Sequence, residues 1–301
     1  MTAAQTEADA AASADESAAE AVGVVGGGIM GSGIAEVAAR SGCDVILCEV
    51  SDIAAENALA RIRKSLGRAE RSGKLSAADR EAAEGRLRVV ADVAELADRD
   101  LVVEAVVEDE AEKVGIFQAL GKVVRSDALL ASNTSSIPIM KLAAVTPSPD
   151  RVIGMHFFNP VPVLPLVELV PSLLTAPATV ERADAFASGR LGKHTVLCKD
   201  RAGFVVNALL IPYLLSAIRM VESGFASAED VDTAMVQGCA HPMGPLALTD
   251  LIGLDTTQAV AQSMYTEFKE PLYAPPPLLM RMVEAGLLGR KAGRGFFEYS
   301  S

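Results

Sequence analysis

The chain has 301 residues, half of them hydrophobic, and a formal net charge of −12 at pH 7. That length exceeds what one core usually accommodates and sets two domains as the expectation, while the negative balance argues against nucleic acid and anionic membrane surfaces as partners. The four cysteines, Cys43, Cys48, Cys198 and Cys239, show no C-x-x-C spacing and read as buried, reduced thiols rather than a metal or disulfide framework.

Residues 1–20 are alanine-rich with scattered acids and lack the basic residues of a targeting signal, so they read as a disordered acidic tail. Ala21–Val25 has the pattern of a short buried strand, Ile29–Arg40 carries apolar residues at helical spacing, and Asp44–Cys48 is a second β-rich run. Gly26, Gly28 and Gly31 stand on the intervening turn as G-x-G-x-x-G, and Glu49 closes the next strand. In that fingerprint the first glycine makes the tight turn, the second lets a pyrophosphate approach the backbone, and the third lets helix and strand pack closely. The helix N-terminus supplies unpaired N–H groups to the phosphates, and Glu49 accepts hydrogen bonds from the adenosine ribose. The turn therefore predicts dinucleotide binding. A carboxylate at Glu49, with no Arg or Lys in the next several residues, favours NAD over NADP, which stays open.

Ser51–Arg88 alternates charge with alanine and leucine, which predicts one or two long exposed helices. The strand candidates "RLRVV", "DLVVEAVV" and "DALLAS" follow, separated by helical runs, in the rhythm of a parallel doubly wound sheet. "RVIGMHFFNPVPVLPLVELV" leaves no room for a crossover helix, so its two strands are antiparallel or adjacent at a sheet edge. A helix over Ala178–Leu191 and a strand over Thr195–Cys198 close this layer. Beyond "KDRAGF" the pattern is helical: Phe204–Ser223, Ser227–Gly238, Leu246–Phe268 and Pro277–Ala285. The expected fold is α/β, a Rossmann-type doubly wound sheet over residues 21–200 followed by an all-α C-terminal domain over 201–301. Gly203–Met220 contains Asn207, Pro212 and Arg219 and falls short of an apolar span, so a cytoplasmic protein without a membrane segment is expected. Surplus apolar faces on the C-terminal helices point to a homodimer.

Of three histidines, His194 and His241 read as structural. His156 ends a strand before "FFNP", and Glu168 lies in the apolar run "LPLVELV". If the two strands pair, the carboxylate returns beside the imidazole, and a glutamate among leucines and valines needs such a partner. Spacing alone leaves a catalytic dyad and a structural salt bridge both open. "SNTSS", Ser132–Ser136, follows a strand at the edge where ligands of such sheets bind, or else caps a helix at Pro138. Asn207 interrupts an apolar helix, where a buried amide needs partners.

Together "GGGIMGSGIA", "SNTSS", "GMHFFNP", "VELV", "DRAGFVVN", "HPMGPLALTDLIGLDT" and "GRKAGRGFFEY" resemble the short-chain L-3-hydroxyacyl-CoA dehydrogenases, also called 3-hydroxybutyryl-CoA dehydrogenases, from Ala21 to Tyr299. The resemblance implies His156 as catalytic base, Glu168 as the group that orients it, and Ser135 and Asn207 as hydrogen-bond partners of the substrate oxygens. It implies cofactor contacts at Gly26, Gly27, Gly28, Ile29, Met30, Gly31, Glu49, Glu108, Lys113, Ser135, Asn159 and Lys291. Ser65 and Lys74 are the implied contacts to the CoA part of a thioester substrate. Three positions depart from the family: Glu49 replaces the usual Asp, Ala202 stands where Pro is common, and Ala208 where Arg is common. The expected reaction is hydride transfer between C3 of a short 3-hydroxyacyl-CoA and the nicotinamide. A same-fold dehydrogenase of a sugar acid such as gulonate, and a catalytically inactive NAD-binding protein, are the alternatives.

Overall fold

The computed structural model describes residues 20–299, and the expected acidic tail lies, but for residue 20, outside the described residues. The chain divides into two compact units, one running to Thr134 and from Ile139 to Leu197, the other made of Ser135–Pro138 with Cys198 onward. Among the described residues no helix is long and apolar enough to cross a membrane.

The first unit is built on an eight-stranded sheet of order β3-β2-β1-β4-β5-β6-β7-β8. Its opening βαβ consists of β1 (Ala21–Val25), α1 (Ile29–Arg40) and β2 (Asp44–Cys48), with bounds as the periodicity predicts. α1 is buried from Gly31 to Ala39, because Ile34, Ala35 and Ala38 pack on the sheet while neighbouring elements cover its other sides. The charged stretch that follows forms two helices, α2 (Asp52–Arg71) and α3 (Ala77–Gly85). In α2 the Ser51 hydroxyl caps the Ala54 N–H at 3.3 Å, Asp52 lies in the first turn and Arg68 and Arg71 in the last, all favourable to the helix dipole. Its buried stripe, Ala58, Ile62 and Leu66, recurs every four residues.

β3 (Leu87–Val90) and β4 (Leu101–Glu104) flank the first pair, α4 (Glu110–Val123) leads to β5 (Leu129–Ser132), and α5 (Ile139–Ala143) leads to β6 (Val152–Phe157). These six strands are parallel, and β4 and β5 are buried throughout, as strands covered on both faces must be. The order reverses beside β1, between β2 and β4, which sets the ligand crevice above the carboxyl ends of β1 and β4. β7 (Leu166–Pro171) runs antiparallel to β6, and β8 (His194–Leu197) lies outside it, parallel to β7. The pair "RVIGMHFFNPVPVLPLVELV" is thus antiparallel but not at the edge. The helix expected over Ala178–Leu191 begins as α6 (Pro177–Asp184) and ends in a π-helical turn over Ala185–Arg190.

The second unit holds α7 (Val206–Glu222), α8 (Ala228–Cys239), α9 (Pro245–Ile252), α10 (Leu254–Phe268) and α11 (Pro277–Glu284) around Ile211, Leu215, Ile218, Ala261, Met264 and Leu279. One expected helix, Leu246–Phe268, is two. Gly253 carries φ +102 and breaks it, and a Cβ there would stand 2.9 Å from the Asp255 carboxylate. The fully buried Asp250 on α9 accepts the Phe296 and Phe297 N–H groups, each at 2.9 Å, and the Tyr299 hydroxyl at 2.9 Å, which anchors the C-terminal segment. Cys43 and Cys48 are buried as expected, but Cys198 is half-buried and Cys239, at the end of the exposed face of α8, is open to solvent.

Candidate active site

At the end of β1 the chain turns on glycines that the packing requires. Gly26 has φ +93, and a Cβ on it would meet the Ala105 carbonyl at 2.9 Å. A Cβ on Gly31 would fall 1.7 Å from the Gly26 carbonyl oxygen, and one on Gly27 2.5 Å from Ala58 of α2. Gly28 differs: nothing of the protein lies within 4 Å of its Cβ position. There the bare backbone keeps space open in front of the α1 N-terminus, which has no side-chain cap. A tight turn, an open backbone position and an uncapped helix start fit the pyrophosphate of a dinucleotide.

Glu49 reaches into this turn. Its Oε1 accepts the Gly27 N–H at 2.5 Å and its Oε2 the Val50 N–H at 3.0 Å, leaving further lone pairs for ribose hydroxyls. Arg61 of α2 donates to the Gly27 carbonyl and, at 3.4 Å, to Ser32 Oγ. It stands twelve residues beyond Glu49, in the middle of α2, so nothing in the local sequence marks its place beside the turn.

Past β4, Lys113 and Glu108 belong to a larger buried network. Lys113, 1 % exposed, sets its Nζ 2.7 Å from Glu104 Oε1 and 3.3 Å from Glu108 Oε2, and donates to the Val106 carbonyl at 3.3 Å. Glu104 also accepts the Val106 N–H at 2.7 Å and the Ser132 hydroxyl at 2.6 Å. Thr134 Oγ1 donates to Glu108 Oε1 at 2.6 Å. Glu104 was missed, although an acid ending the wholly apolar strand β4 is a signal of a buried partner; Ser132 and Thr134 lie in the run expected at the ligand edge, but their carboxylate partners were not foreseen. Asn133, in the same run, accepts the Phe157 N–H on its Oδ1 at 2.9 Å, beside His156.

The antiparallel register sets His156 opposite Glu168. Nδ1 of the imidazole is 2.7 Å from Oε2 of the carboxylate, and the side chains are 8 % and 0 % exposed. The Phe158 ring lies 4.5 Å from the imidazole, centroid to centroid. Such a pair holds one tautomer and can take up and return a proton at the other ring nitrogen. Asn159, exposed, follows at a cis bond to Pro160. Ser65 of α2 is half-buried and bonds to Glu36 of α1, whose carboxyl burial pushes upward. Lys74 is exposed just past α2.

In the second unit, Ser135 precedes Ser136, whose carbonyl accepts the Ser263 hydroxyl at 3.2 Å. Asn207 lies half-buried in the first turn of α7. Lys291 sets its Nζ 2.6 Å from both carboxylate oxygens of Asp255. His241 bonds through Nδ1 to the Tyr213 hydroxyl at 3.1 Å. Among the described residues no three His, Cys, Asp or Glu side chains gather as metal ligands.

Residues 21–201 match the family model "3-hydroxyacyl-CoA dehydrogenase, NAD binding domain" and residues 203–299 match "3-hydroxyacyl-CoA dehydrogenase, C-terminal domain". A 3-hydroxybutyryl-CoA dehydrogenase of Mycobacterium tuberculosis is 61 % identical over 279 residues, 92 % of this chain and 98 % of that protein. The crystal structure of M. tuberculosis FadB2 superposes with a TM-score of 0.93 at 60 % identity, covering 94 % of this chain and 100 % of that one. That of the (S)-3-hydroxybutyryl-CoA dehydrogenase PaaH1 from Ralstonia eutropha gives 0.89 at 45 % identity, with the same coverage. With both domain models matched in order along nearly its whole described length, the chain belongs to the 3-hydroxyacyl-CoA dehydrogenase family.

Proposed function

We propose that the chain interconverts short (S)-3-hydroxyacyl-CoA and 3-oxoacyl-CoA thioesters, such as 3-hydroxybutyryl-CoA and acetoacetyl-CoA, as an NAD-dependent oxidoreductase. The observation that carries this reading is the 2.7 Å contact of His156 Nδ1 with Glu168 Oε2, inside the unit that presents the glycine turn. NAD, when bound, supplies the acceptor or donor of the hydride. With Nδ1 committed to Glu168, His156 takes the substrate hydroxyl proton on Nε2 during oxidation and returns it during reduction. Glu168 fixes the tautomer and offsets the charge of the imidazolium.

Ser135 and Asn207 hydrogen-bond the substrate oxygens. The backbone of Gly26, Gly27, Gly28, Ile29, Met30 and Gly31 cradles the pyrophosphate and Glu49 the adenosine ribose, while Glu108, Lys113, Asn159 and Lys291 complete the cofactor contacts and Ser65 and Lys74 face the CoA. The protein works as a homodimer joined through its helical unit, supported by Leu209 and Phe225, 74 % and 79 % exposed there. It resides in the cytoplasm, in keeping with the buried thiols of Cys43 and Cys48, which suit a reducing compartment.

The test is NADH oxidation with acetoacetyl-CoA, set against NADPH and against a free sugar acid such as gulonate with NAD. Turnover of the thioester supports the reading, and turnover of gulonate alone replaces it. Sedimentation of the wild type and of Phe225→Glu reads the dimer.

A further inference from the structure

The first unit carries a cavity of about 690 Å³ that none of the residues assigned above lines. It lies over the outer side of α1 and the turn that ends it, and is walled by α3, by the loop from β6 to β7 and by the segment entering β8. Arg40 and Ser41 there precede β2, and Arg86 precedes β3, so this end of the cavity lies at the amino edge of the strands. Its other end, at Pro162–Pro165 and Lys193 before β7 and β8, lies at the carboxyl edge, the edge of the dinucleotide turn.

Three of its lining side chains are cations, Arg40, Arg86 and Lys193, against one carboxylate, Asp79, in a chain whose net charge is −12. Asp79 already accepts the Ser76 hydroxyl at 2.7 Å as part of a helix cap. Lys193 is 8 % exposed, and its Nζ donates to the Val161 carbonyl at 2.6 Å and the Leu164 carbonyl at 2.8 Å. Among the described residues no carboxylate lies within ion-pairing distance of it, and its basicity is lowered by burial and by the like charge of Arg40. Arg40 has only a long contact, 3.5 Å, to Glu36. Arg40 and Lys193 repel each other across a lining that holds three cations to one carboxylate, an arrangement an anion relieves. The remaining wall is apolar, with Val37 and Leu191 buried and Val163 64 % exposed, which suits a flat or aliphatic body joined to the anion.

We propose that this cavity is a binding site for a phosphorylated nucleotide, its phosphates held by Arg40, Arg86 and Lys193 and its base lying on Leu75 and Val163. The nucleotide is either free or the nucleotide end of a CoA thioester, and the second source rests on the dehydrogenase reading. The lining loop Pro162–Pro165 joins the strands of His156 and Glu168, so occupation bears on the setting of the dyad.

The test uses full-length protein saturated with NADH, so that the dinucleotide turn is filled, and the double variant Arg40→Gln/Arg86→Gln, which leaves the Lys193 anchor of the loop intact. Adenosine 3′,5′-bisphosphate and ADP are titrated calorimetrically, and KM is measured for acetoacetyl-CoA and for its N-acetylcysteamine analogue, which has no nucleotide. A tenfold weaker binding of either nucleotide in the variant, with both KM values unchanged, assigns the site to a free nucleotide. A tenfold rise in KM for acetoacetyl-CoA alone, with competition by the bisphosphate, assigns it to the substrate's own end. Equal binding, or no binding, in both proteins together with unchanged KM overturns the proposal. Absence of NADH-dependent turnover of either thioester by the wild type would instead overturn the dehydrogenase reading and leave the titration readable.

Discussion

His156 and Glu168 stand directly opposite each other across the antiparallel seam of β6 and β7, with Nδ1 and Oε2 2.7 Å apart. The carboxylate is wholly withdrawn from water, where a charge calls for a partner, and the imidazole supplies one. Removing the ring removes the proton carrier: His156→Ala is expected to lower kcat with acetoacetyl-CoA by about 10²–10⁴-fold, the usual range for a positioned acid–base group. NADH affinity, read by fluorescence titration, should stay within about threefold, since the ring serves the substrate proton; 1.4 kcal/mol would already be tenfold. Near wild-type turnover in that variant would remove His156 as the base.

A second buried pair, Lys113 with Glu104, gives a stability prediction. Both side chains are fully buried; Lys113→Met leaves the Glu104 carboxylate without a cation and should cost about 3–5 kcal/mol, and Glu104→Leu, which leaves Lys113 only Glu108 at 3.3 Å, should cost less. The double variant Glu104→Leu/Lys113→Met leaves no fully buried charge, only the partly exposed Glu108 held by Thr134, and should regain most of that loss in urea denaturation, while its NADH affinity stays low. Recovery of both stability and affinity would mean that Lys113 serves the fold and not the cofactor.

These two pairs also mark how far the sequence could be read. His156 and Glu168 were legible because a proline-rich loop too short for a helix forces their strands to pair, and pairing brings the polar residues together. The opening βαβ was legible because its apolar period switches cleanly at Gly26 and again at Ser41. The pairing of Ser132 with Glu104 and of Thr134 with Glu108 was not, since β4 and β5 become neighbours only through the order of the finished sheet. Gly253 was not, because a glycine inside an apolar helical period is often tolerated; only the structure shows its positive φ and the Asp255 and Lys291 side chains that crowd its Cβ position. The grouping of Ser135–Pro138 with the helical unit left no periodic trace at all.

Burial pushes the thiols of Cys43 and Cys48 up to about 11 from an ordinary value of 9.0. As pH rises, the unfolded chain loses these protons first, so between about 9 and 11 it binds fewer protons than the folded chain and stability falls with pH. Below pH 9 neither thiol contributes a slope. At about 1.4 kcal/mol per unit, the two together amount to a few kcal/mol by pH 11. The variant Cys43→Ala/Cys48→Ala should show a shallower decline in urea midpoint between pH 9 and 11 than the wild type. Parallel declines would show that other groups carry the alkaline loss. Iodoacetamide at pH 8 should label exposed Cys239 in the native protein and reach Cys43 and Cys48 only after denaturation.

Gly28 and Gly31 share one turn but are bare for opposite reasons, and alanine separates them. At Gly31 the added Cβ would collide with the Gly26 carbonyl oxygen at 1.7 Å, a backbone atom that cannot yield without moving the turn. Gly31→Ala should therefore lower thermal stability, by an amount at the upper end of the roughly 1–3 kcal/mol range for overpacked sites, and abolish NADH binding with it. At Gly28 the same methyl meets nothing of the protein, and φ −60 is acceptable to any residue, so Gly28→Ala should melt within about one degree of the wild type. What the methyl fills is the space before the uncapped start of α1, so Kd for NADH should rise about tenfold or more, equivalent to 1.4 kcal/mol. If Gly28→Ala bound NADH as the wild type does, the pyrophosphate would have to lie elsewhere than on this turn, and the assignment of Gly26 to Gly31 as its cradle would fall with it.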